Sequence, residues 1–276
     1  MMKVGVMGWP VAHSLSPALH GYWLKQHGID ADYVKCAVPP DKLAEALKTL
    51  VAEDWRGCNL TMPHKEAAIE LVDRLDPAAR RIGAVNTVVV ESGRLAGYNT
   101  DGFGFLENLR AGAPGFDAKA GPAVVLGAGG AARAIVDALS EAGAPEVRLA
   151  NRSLGRARNL ARSLGGAVEP VSWERHAAAL DGAALLVNAT SLGMKGNPPL
   201  EIDLARLPKT ALVNDIVYAP LETPLLKAAK ARGNRVVDGL GMLLHQGRPG
   251  FKLWFGVMPD VTPALRAAVL AAMAQT

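Results

Sequence analysis

The feature that most constrains the fold is a glycine-rich loop between a buried strand and a helix. Residues 123–126 (AVVL) form an apolar run, which is typical of a parallel strand buried on both faces. Residues 127–132 then match the spacing G-x-G-x-x-A and open a helical pattern that extends to residue 142. In such a loop Gly127 permits the tight turn, Gly129 lets the backbone approach a pyrophosphate, and Ala132 allows close packing of helix on strand. The pattern favours dinucleotide binding over a turn that serves geometry alone.

The end of the next predicted strand, residues 146–150, indicates which dinucleotide is bound. NAD sites usually carry an acidic residue there, which bonds the ribose 2′-hydroxyl. This chain has Asn151, Arg152 and, four residues after Arg152, Arg156, with no carboxylate among residues 151–156. Arginine binds phosphate through charge-assisted hydrogen bonds. A solvated basic turn at the start of a helix is the alternative, but the missing acid and the present arginines together favour NADP.

Short β-branched runs alternate with helical patterns along the chain, which predicts an α/β protein with mainly parallel sheets. In the first part, strands are predicted at 3–7, 32–37, 57–60, 87–90 and 94–98, with helices at 17–27 and 41–52. Residues 88–95 predict one antiparallel hairpin with a Ser-Gly turn. An Ala-, Gly- and Pro-rich stretch at 111–122 separates this part from a doubly wound unit with strands at 123–126, 146–150, 184–188, 211–215 and 235–237. The last forty residues are mainly helical, with an alanine-rich stretch at 264–274.

Composition excludes several classes of protein. The chain of 276 residues is half apolar and one fifth charged, as expected of a globular protein of one or two domains. Its net charge is +4, arginines are scattered and aromatics make up 5%, which argues against a nucleic-acid surface. No apolar run reaches about 18 residues and no signal segment is evident, so we expect a cytoplasmic protein that does not span a membrane. Cys36 and Cys58 are too few for a zinc site, so we expect no metal and two reduced thiols.

Polar residues follow the first predicted strand, in the place where open α/β sheets bind ligands. Ser16 is placed to cap the following helix, with Pro17 at the first helical position, and capping alone would explain this serine. Ser14 is not needed for that cap. Two hydroxyls beside the positive end of a helix would suit a carboxylate.

Thr61 and Lys65 follow strand 57–60, before a helix predicted to run to about residue 72. A cation in the first turn is mildly unfavourable, which hints that Lys65 is more than a surface lysine. We interpret His64 as structural. Asp101 follows strand 94–98, where capping the next helix and acting on a ligand are equal alternatives, and Asn86 could serve as a turn residue.

The successive motifs resemble the shikimate dehydrogenase family, in the family's order along nearly the whole chain. They are Ser14-x-Ser16, Asn59-Leu60-Thr61-x-Pro63-x-Lys65, Gly83-Ala84-Val85-Asn86-Thr87, Asn99-Thr100-Asp101-Gly102, Gly127-Ala128-Gly129-Gly130-Ala131, Asn151-Arg152-Ser153, Asn188-Ala189-Thr190-Ser191-x-Gly193-Met194, Asp215-x-x-Tyr218 and Gly239-Leu240-Gly241-Met242-Leu243-x-x-Gln246. The chain departs from the family after Gln246, where residues 247–250 (GRPG) replace small helix-forming residues. That departure leaves the geometry of the helix after Gln246 open.

The resemblance implies a set of roles for individual residues. Lys65 and Asp101 would form the catalytic pair. The substrate would be held by Ser14, Ser16, Thr61, Asn86, Tyr218 and Gln246. NADP would contact Gly127, Ala128, Gly129, Gly130, Ala131, Asn151, Arg152, Arg156, Thr190, Ile216 and Gly239. The C-terminal helices would return to the first domain, giving a substrate domain of residues 1–103 and 240–276 and a Rossmann domain of residues 104–239.

The implied reaction is the reversible, NADPH-dependent reduction of 3-dehydroshikimate to shikimate, a step of chorismate and aromatic amino acid biosynthesis. A protonated Lys65 would stabilise the charge that grows on the carbonyl oxygen and would supply a proton, and a neighbouring Asp101 would favour its charged form. Which of the two residues transfers the proton stays open. The alternatives are a quinate or dual quinate/shikimate dehydrogenase and a non-catalytic binding protein of the same fold. The sequence also leaves the assembly open, with a homodimer as one candidate.

Overall fold

The protein, described here by a computed structural model over residues 1–275, divides into two compact units. Unit 1 contains Met1–Thr100 and the chain from Leu244 onward, and unit 2 contains Asp101–Leu243. The Ala-, Gly- and Pro-rich stretch 111–122 lies wholly inside unit 2, so it does not separate the units as predicted. The physical reason is the helix at the start of unit 2, in which Gly102 packs so closely on Ala134 that an added Cβ would lie 3.0 Å from the Ala134 carbonyl oxygen.

The first hundred residues of unit 1 form six strands and four helices. These are β1 (Met2–Gly8), α1 (Ser16–Gln26), β2 (Ala31–Ala37), α2 (Leu43–Ala52), β3 (Gly57–Leu60), α3 (His64–Ala67), β4 (Arg74–Leu75), α4 (Pro77–Ile82), β5 (Thr87–Glu91) and β6 (Arg94–Tyr98). The sheet order is β2-β1-β3-β5-β6-β4. Strand β5 is antiparallel to both β3 and β6, so the sheet has two antiparallel pairs rather than the one predicted.

Two local features of this sheet follow from its turns. Ser92 and Gly93 join β5 to β6 and both have positive φ angles, of 50° and 75°, as the predicted tight hairpin requires. The helix predicted to reach residue 72 ends much earlier, because the chain leaves it to place β4 beside β6. That pairing is extended by Asp73, whose N–H donates to Leu95 O at 2.9 Å and whose Oδ2 accepts from Leu95 N at 2.7 Å.

Unit 2 is an open, fully parallel sheet between helices. Its elements are α5 (Asp101–Gly112), β7 (Ala123–Leu126), α6 (Gly130–Glu141), β8 (Val147–Asn151), α7 (Leu154–Leu164), β9 (Val168–Ser172), β10 (Leu185–Asn188), β11 (Leu212–Asp215), α8 (Pro224–Ala231) and β12 (Arg235–Val237). The order β12-β11-β10-β7-β8-β9 is the order 3-2-1-4-5-6 of the Rossmann fold, read from the other edge. The fold class predicted from the sequence is therefore confirmed.

Strand β9 was missed in the sequence because Pro170 lies at its centre. Proline lacks the N–H that a central strand donates, so it is tolerated mainly at sheet edges. β9 is such an edge strand: within residues 1–275 it pairs with β8 alone.

The chain ends in two helices, α9 (Leu240–Phe255) and α10 (Pro263–Met273). Helix α9 continues through residues 247–250 despite Pro249 in its interior. The glycines are explained by packing: a Cβ on Gly247 would lie 2.9 Å from Leu19 and 3.1 Å from Trp23 of α1. The Nε1 of Trp254 then donates to Val88 O in β5 at 3.0 Å, which fixes α9 against the sheet of unit 1.

Each unit has its own apolar core. Successive residues of β7, such as Val124 and Val125, face opposite sides of the unit 2 sheet and belong to separate buried clusters. In unit 1 an aromatic cluster surrounds the fully buried His20, whose ring stacks on Tyr33 with centroids 4.3 Å apart and lies 5.5 Å from Trp23. Among residues 1–275, no helix combines the length and apolarity needed to cross a membrane.

Candidate active site

Unit 1 brings several predicted substrate residues to one edge of its sheet. The parallel strands β1 and β3 end together, with Met7 opposite Leu60. Strand β5 runs the opposite way and begins at Thr87 opposite Asn59, so Asn86 lies at the edge where β3 ends. The segments that carry Ser14 and Ser16, Thr61 and Lys65, and Asn86 therefore leave the sheet on the same side.

The start of α1 differs from the prediction. Ser16 is not the N-cap, since Leu15 occupies that position with near-helical angles and makes no side-chain cap. The Oγ of Ser14 instead accepts the backbone N–H of Ser16 at 3.3 Å. Leu15 is buried in the core, which draws the chain into the helix early and leaves Ser14 to satisfy the exposed N–H. Ser14 thus contacts the helix start, contrary to the expectation that it was not needed there.

The segment after β3 is held in place by backbone bonds on both sides. Thr61 N donates to Met7 O at 2.9 Å, and Val85 N donates to Lys65 O at 2.7 Å. Lys65, in the short α3, is half-buried. His64 is buried with its Nε2 2.8 Å from Val38 O, which is in keeping with a structural role.

Asn86 and Gln246 meet although they are 160 residues apart in the sequence. The Nδ2 of Asn86 lies 3.3 Å from Gln246 Oε1 and 2.9 Å from Thr100 Oγ1. Thr100 completes the group, because its Oγ1 donates to Gln246 O at 2.8 Å. Asn86 is 1% exposed, so it is a buried polar group rather than a simple turn residue.

Three buried polar residues of this group, Asn59, Thr87 and Thr100, received no role from the sequence. Asn59 donates to Asn86 O at 3.1 Å, and the Thr100 N–H donates to Asn86 Oδ1 at 2.9 Å. The available signal was Asn59 itself, a polar residue inside the fully buried strand β3. A buried amide needs hydrogen-bond partners, so such a residue points to a polar network.

In unit 2 the glycine-rich loop has the shape that a pyrophosphate needs. Gly127 has a φ of 109°, and a Cβ there would lie 2.9 Å from Ala189 O, so only glycine fits. Gly129 is the N-cap of α6, and an added Cβ would meet nothing within 4 Å. Gly130 and Ala131 form the first turn of that helix, whose N–H groups favour anions, and Ala128 is buried beneath the loop.

The basic residues after β8 flank this loop. Asn151 ends the strand, and its Nδ2 donates to Ser153 O at 3.0 Å. Ser153 caps α7, and both Arg152 and Arg156 are exposed. The Nη2 of Arg156 is 3.5 Å from Ala128 O in the glycine-rich loop. Two guanidinium groups with no acidic residue at the end of β8 fit the 2′-phosphate of NADP.

The other predicted cofactor residues lie on the loops after β10 and β11. Thr190 Oγ1 donates to Asn188 Oδ1 at 2.7 Å, and the Ile216 N–H donates to Asn188 O at 3.0 Å. Gly239 approaches the Ile216 backbone so closely that a Cβ would lie 2.3 Å from Ile216 O. Burial raises the pKa of the nearby Asp215 carboxyl.

The predicted catalytic pair is divided between the units. Asp101 is the buried first residue of α5 in unit 2, whereas Lys65 belongs to unit 1. Tyr218 also belongs to unit 2, and burial raises the pKa of its phenol, which therefore keeps its proton at neutral pH. No group of three or more His, Cys, Asp or Glu side chains in residues 1–275 is arranged to hold a metal ion.

Three family models match successive parts of the chain. Residues 6–88 match the shikimate dehydrogenase substrate binding domain, residues 113–194 match shikimate / quinate 5-dehydrogenase, and residues 239–270 match the shikimate 5′-dehydrogenase C-terminal domain. Together they cover most of the chain.

Relatives of known name match over nearly full length. Shikimate dehydrogenase (NADP(+)) of Paramagnetospirillum magneticum is 59% identical over 267 residues, covering 96% of this chain and 97% of the relative. The enzyme of the same name from Rhodospirillum rubrum is 61% identical over 272 residues, covering 96% of each chain. The structure of shikimate 5-dehydrogenase from Thermus thermophilus in complex with NADP(H) and shikimate superposes with a TM-score of 0.88 at 44% identity, covering 99% of this chain and 100% of that one. This chain belongs to the shikimate dehydrogenase family.

Proposed function

We propose that this protein catalyses the reversible reduction of 3-dehydroshikimate to shikimate with NADPH. The observation that carries the proposal is the polar edge of unit 1, where the buried amides of Asn86 and Gln246 are joined to each other and to Thr100. The segments that carry the predicted hydroxyl and ammonium groups leave the sheet at the same edge. A polyhydroxylated carboxylate offers the matching acceptors and donors. Full-length relatives that bear the name shikimate dehydrogenase (NADP(+)) support the same reaction.

We assign the substrate to unit 1 and the cofactor to unit 2. The substrate domain then consists of two segments of the chain, because α10 and most of α9 belong to unit 1. Ser14 and Ser16 would hold the substrate carboxylate, and Thr61, Asn86 and Gln246 would hold its hydroxyls. Tyr218, from unit 2, would contribute a phenol donor.

In unit 2 the residues fit a dinucleotide with a 2′-phosphate. The backbone from Gly127 to Ala131 would receive the pyrophosphate at the start of α6, and Asn151, Arg152 and Arg156 would bind the phosphorylated ribose. The rest of the cofactor would contact Thr190, Ile216 and Gly239. When bound, NADPH supplies the hydride.

Lys65 and Asp101 would stabilise the charge that develops during the reaction and would transfer the proton. Negative charge grows on the carbonyl oxygen as the ketone is reduced, and a protonated Lys65 would stabilise it and deliver a proton. Asp101 would act with Lys65 as the catalytic pair, as the family's motifs imply. In the direction of oxidation the same lysine would accept the proton from the hydroxyl.

The test is the appearance of NADPH absorbance when the protein is mixed with NADP⁺ and shikimate. Quinate is the matched comparison, because a quinate dehydrogenase from Corynebacterium glutamicum, in complex with NAD, also superposes with a TM-score of 0.90 at 33% identity, covering 98% of this chain and 99% of that one. Quinate carries an extra hydroxyl on a tetrahedral carbon. A pocket shaped for shikimate leaves that hydroxyl without a partner, so we expect kcat/KM for shikimate to be higher by about tenfold or more.

Comparable turnover of both substrates would instead assign a dual-specificity enzyme, and the absence of turnover would favour a binding protein. We further propose that the enzyme acts in the cytoplasm. A homodimer is the assembly to look for, and size-exclusion chromatography with light scattering would detect it.

A further inference from the structure

A chain of buried hydrogen bonds lies behind Asn86 in unit 1. Tyr33 Oη is 2.6 Å from Asn59 Oδ1, Asn59 Nδ2 is 3.0 Å from Thr87 Oγ1, and Thr87 Oγ1 is 3.0 Å from Asn86 Oδ1. Tyr33, Asn59 and Thr87 are all buried, with exposures of 8%, 5% and 0%. Burial raises the pKa of the Tyr33 phenol well above its usual value, so its oxygen keeps the proton that it donates. None of the three is among the residues proposed to contact the substrate or the cofactor.

Groups that can only donate or only accept a hydrogen bond fix the direction of every bond in this series of hydrogen bonds. Asn59 Nδ2 donates to the backbone carbonyl of Asn86 at 3.1 Å, so the Asn59 oxygen must face Tyr33. The hydroxyl of Thr87 accepts from Asn59 and therefore directs its single proton to Asn86 Oδ1. The backbone N–H of Thr100 can only donate, and it too reaches Asn86 Oδ1, at 2.9 Å.

Two independent donors thus require the amide oxygen of Asn86 to face the protein. Its NH2 group is left on the opposite side, towards Thr100 Oγ1 and Gln246 Oε1. In this orientation both N–H groups of Asn86 point to acceptors at the polar edge of unit 1, with the longer bond, 3.3 Å, to Gln246 Oε1. An amide turned by 180° would offer an acceptor and would place its NH2 against two donors, which is an unfavourable arrangement in a buried site.

We propose that Thr87 is a positioning residue that holds Asn86 with its NH2 group towards the substrate, and that Tyr33 and Asn59 hold Thr87. A substrate oxygen would then replace Gln246 Oε1, the more distant of the two acceptors, and receive one N–H of Asn86. This inference rests on the proposed function in one respect, namely that Asn86 contacts the substrate. The orientation of the amide is a property of unit 1 itself.

The kinetic experiment compares Thr87→Val, which removes the hydroxyl at nearly constant volume, with Thr87→Ser, which keeps it. We expect Thr87→Val to raise the KM for shikimate about tenfold, as for the loss of one buried hydrogen bond, while kcat changes by less than about twofold. Thr87→Ser should retain a KM near that of the parent. Tyr33→Phe removes the phenol that bonds to Asn59 and also to Ser16, and it should raise KM in the same direction by about twofold to threefold. Thr49→Val, which deletes an exposed hydroxyl bonded to Glu45 O in α2, is the control.

A wild-type KM in Thr87→Val would overturn the proposal. So would equal losses in Thr87→Val and Thr87→Ser, because a merely structural role would not distinguish a retained hydroxyl from a lost one. If Thr87→Val does not fold, Thr87→Ala, which also removes the hydroxyl, takes its place in both comparisons.

A second measurement does not depend on turnover. The side-chain NH2 signals of Asn86, assigned with Asn86→Ala, report its orientation through hydrogen exchange in ¹⁵N-labelled protein. Thr87→Val should accelerate this exchange about tenfold and Thr87→Ser should leave it nearly unchanged, whereas identical rates in all three proteins would refute the positioning role. Failure of the wild type to oxidise shikimate would reject the proposed function, and the exchange data would still decide the role of Thr87.

Discussion

Asp215 and Thr223 are joined by a hydrogen bond of 2.7 Å between two fully buried side chains. The same Thr223 hydroxyl accepts the Leu226 N–H and caps α8, while the other Asp215 oxygen accepts from Asn188 Nδ2 at 2.9 Å and from Val217 N at 3.0 Å. One carboxylate therefore connects the end of β10, the loop after β11 and the start of α8.

Replacing this carboxylate separates hydrogen bonding from charge. Asp215→Ala leaves three buried donors without an acceptor, so we expect the free energy of unfolding to fall by about 3 kcal/mol or more. Asp215→Asn keeps an oxygen for Asn188 and Val217 but leaves the buried Thr223 hydroxyl without its acceptor, so it should cost less, about 1–2 kcal/mol. Urea denaturation measures both values. Equal destabilisation by the two variants would show that the charge, not the bonding pattern, is what matters.

Arg152→Ala tests the preference for NADP. Loss of one charge-assisted contact to the 2′-phosphate should weaken NADPH binding by about 1.5–3 kcal/mol, or about tenfold to a hundredfold, and leave NADH binding nearly unchanged. Arg162→Ala, an exposed arginine in the last turn of α7, is the control. Isothermal titration with each cofactor gives the answer, and equal weakening of both would reject the assignment.

Lys65→Ala tests the catalytic pair. If Lys65 acts mainly in the transition state, kcat should fall about a hundredfold or more. The dissociation constant for NADPH and the thermal midpoint should change little, and Lys48→Ala on the exposed face of α2 should behave as the parent. A variant that retains most of its kcat would contradict the proposed role, as would one that has lost its fold.

His20 predicts how stability depends on pH. Burial lowers its pKa from 6.5 to about 3, so the folded protein keeps it neutral while the unfolded chain binds a proton below pH 6.5. The contribution of the neutral, buried His20 to the free energy of unfolding is therefore complete above pH 6.5, and it is lost progressively as the pH falls towards 3. His20→Leu should remove about 2–3 kcal/mol of the decline in unfolding free energy over the first two pH units below 6.5. Urea titrations at several pH values test this, with the exposed His13→Leu as control, and an unchanged pH slope in His20→Leu would contradict it.

Local patterns predicted most of the strands, because residue type and spacing determine them. The Rossmann unit was predicted from the apolar strands and from the spacing of the glycines after β7, both of which are local patterns. Strand β9 was missed because its central proline is acceptable only at an edge, and edge position depends on the whole sheet.

The candidate site likewise combines features that local sequence predicts with features that depend on tertiary contacts. Its loops follow strands and were found from their sequence motifs, but the contact of Asn86 with Gln246 joins residues far apart in the chain. The N-cap of α1 was assigned to Ser16, but burial of Leu15, a tertiary effect, moves the helix start one residue earlier and makes Leu15 the N-cap. The glycines at 247 and 250 look like helix breakers until the side chains of Leu19, Trp23 and Thr87 are placed beside them.

The discontinuous unit 1 has a consequence for synthesis on the ribosome. Trp254 bonds to Val88 O and Trp23 Nε1 donates to Asp260 O at 3.1 Å, so neither bond exists until the last tenth of the chain has been made. Unit 2 is complete by Leu243. The first hundred residues thus emerge first but are finished last, and a nascent chain that stalls before α9 exposes the apolar surfaces of α1 and β5 to chaperones and proteases.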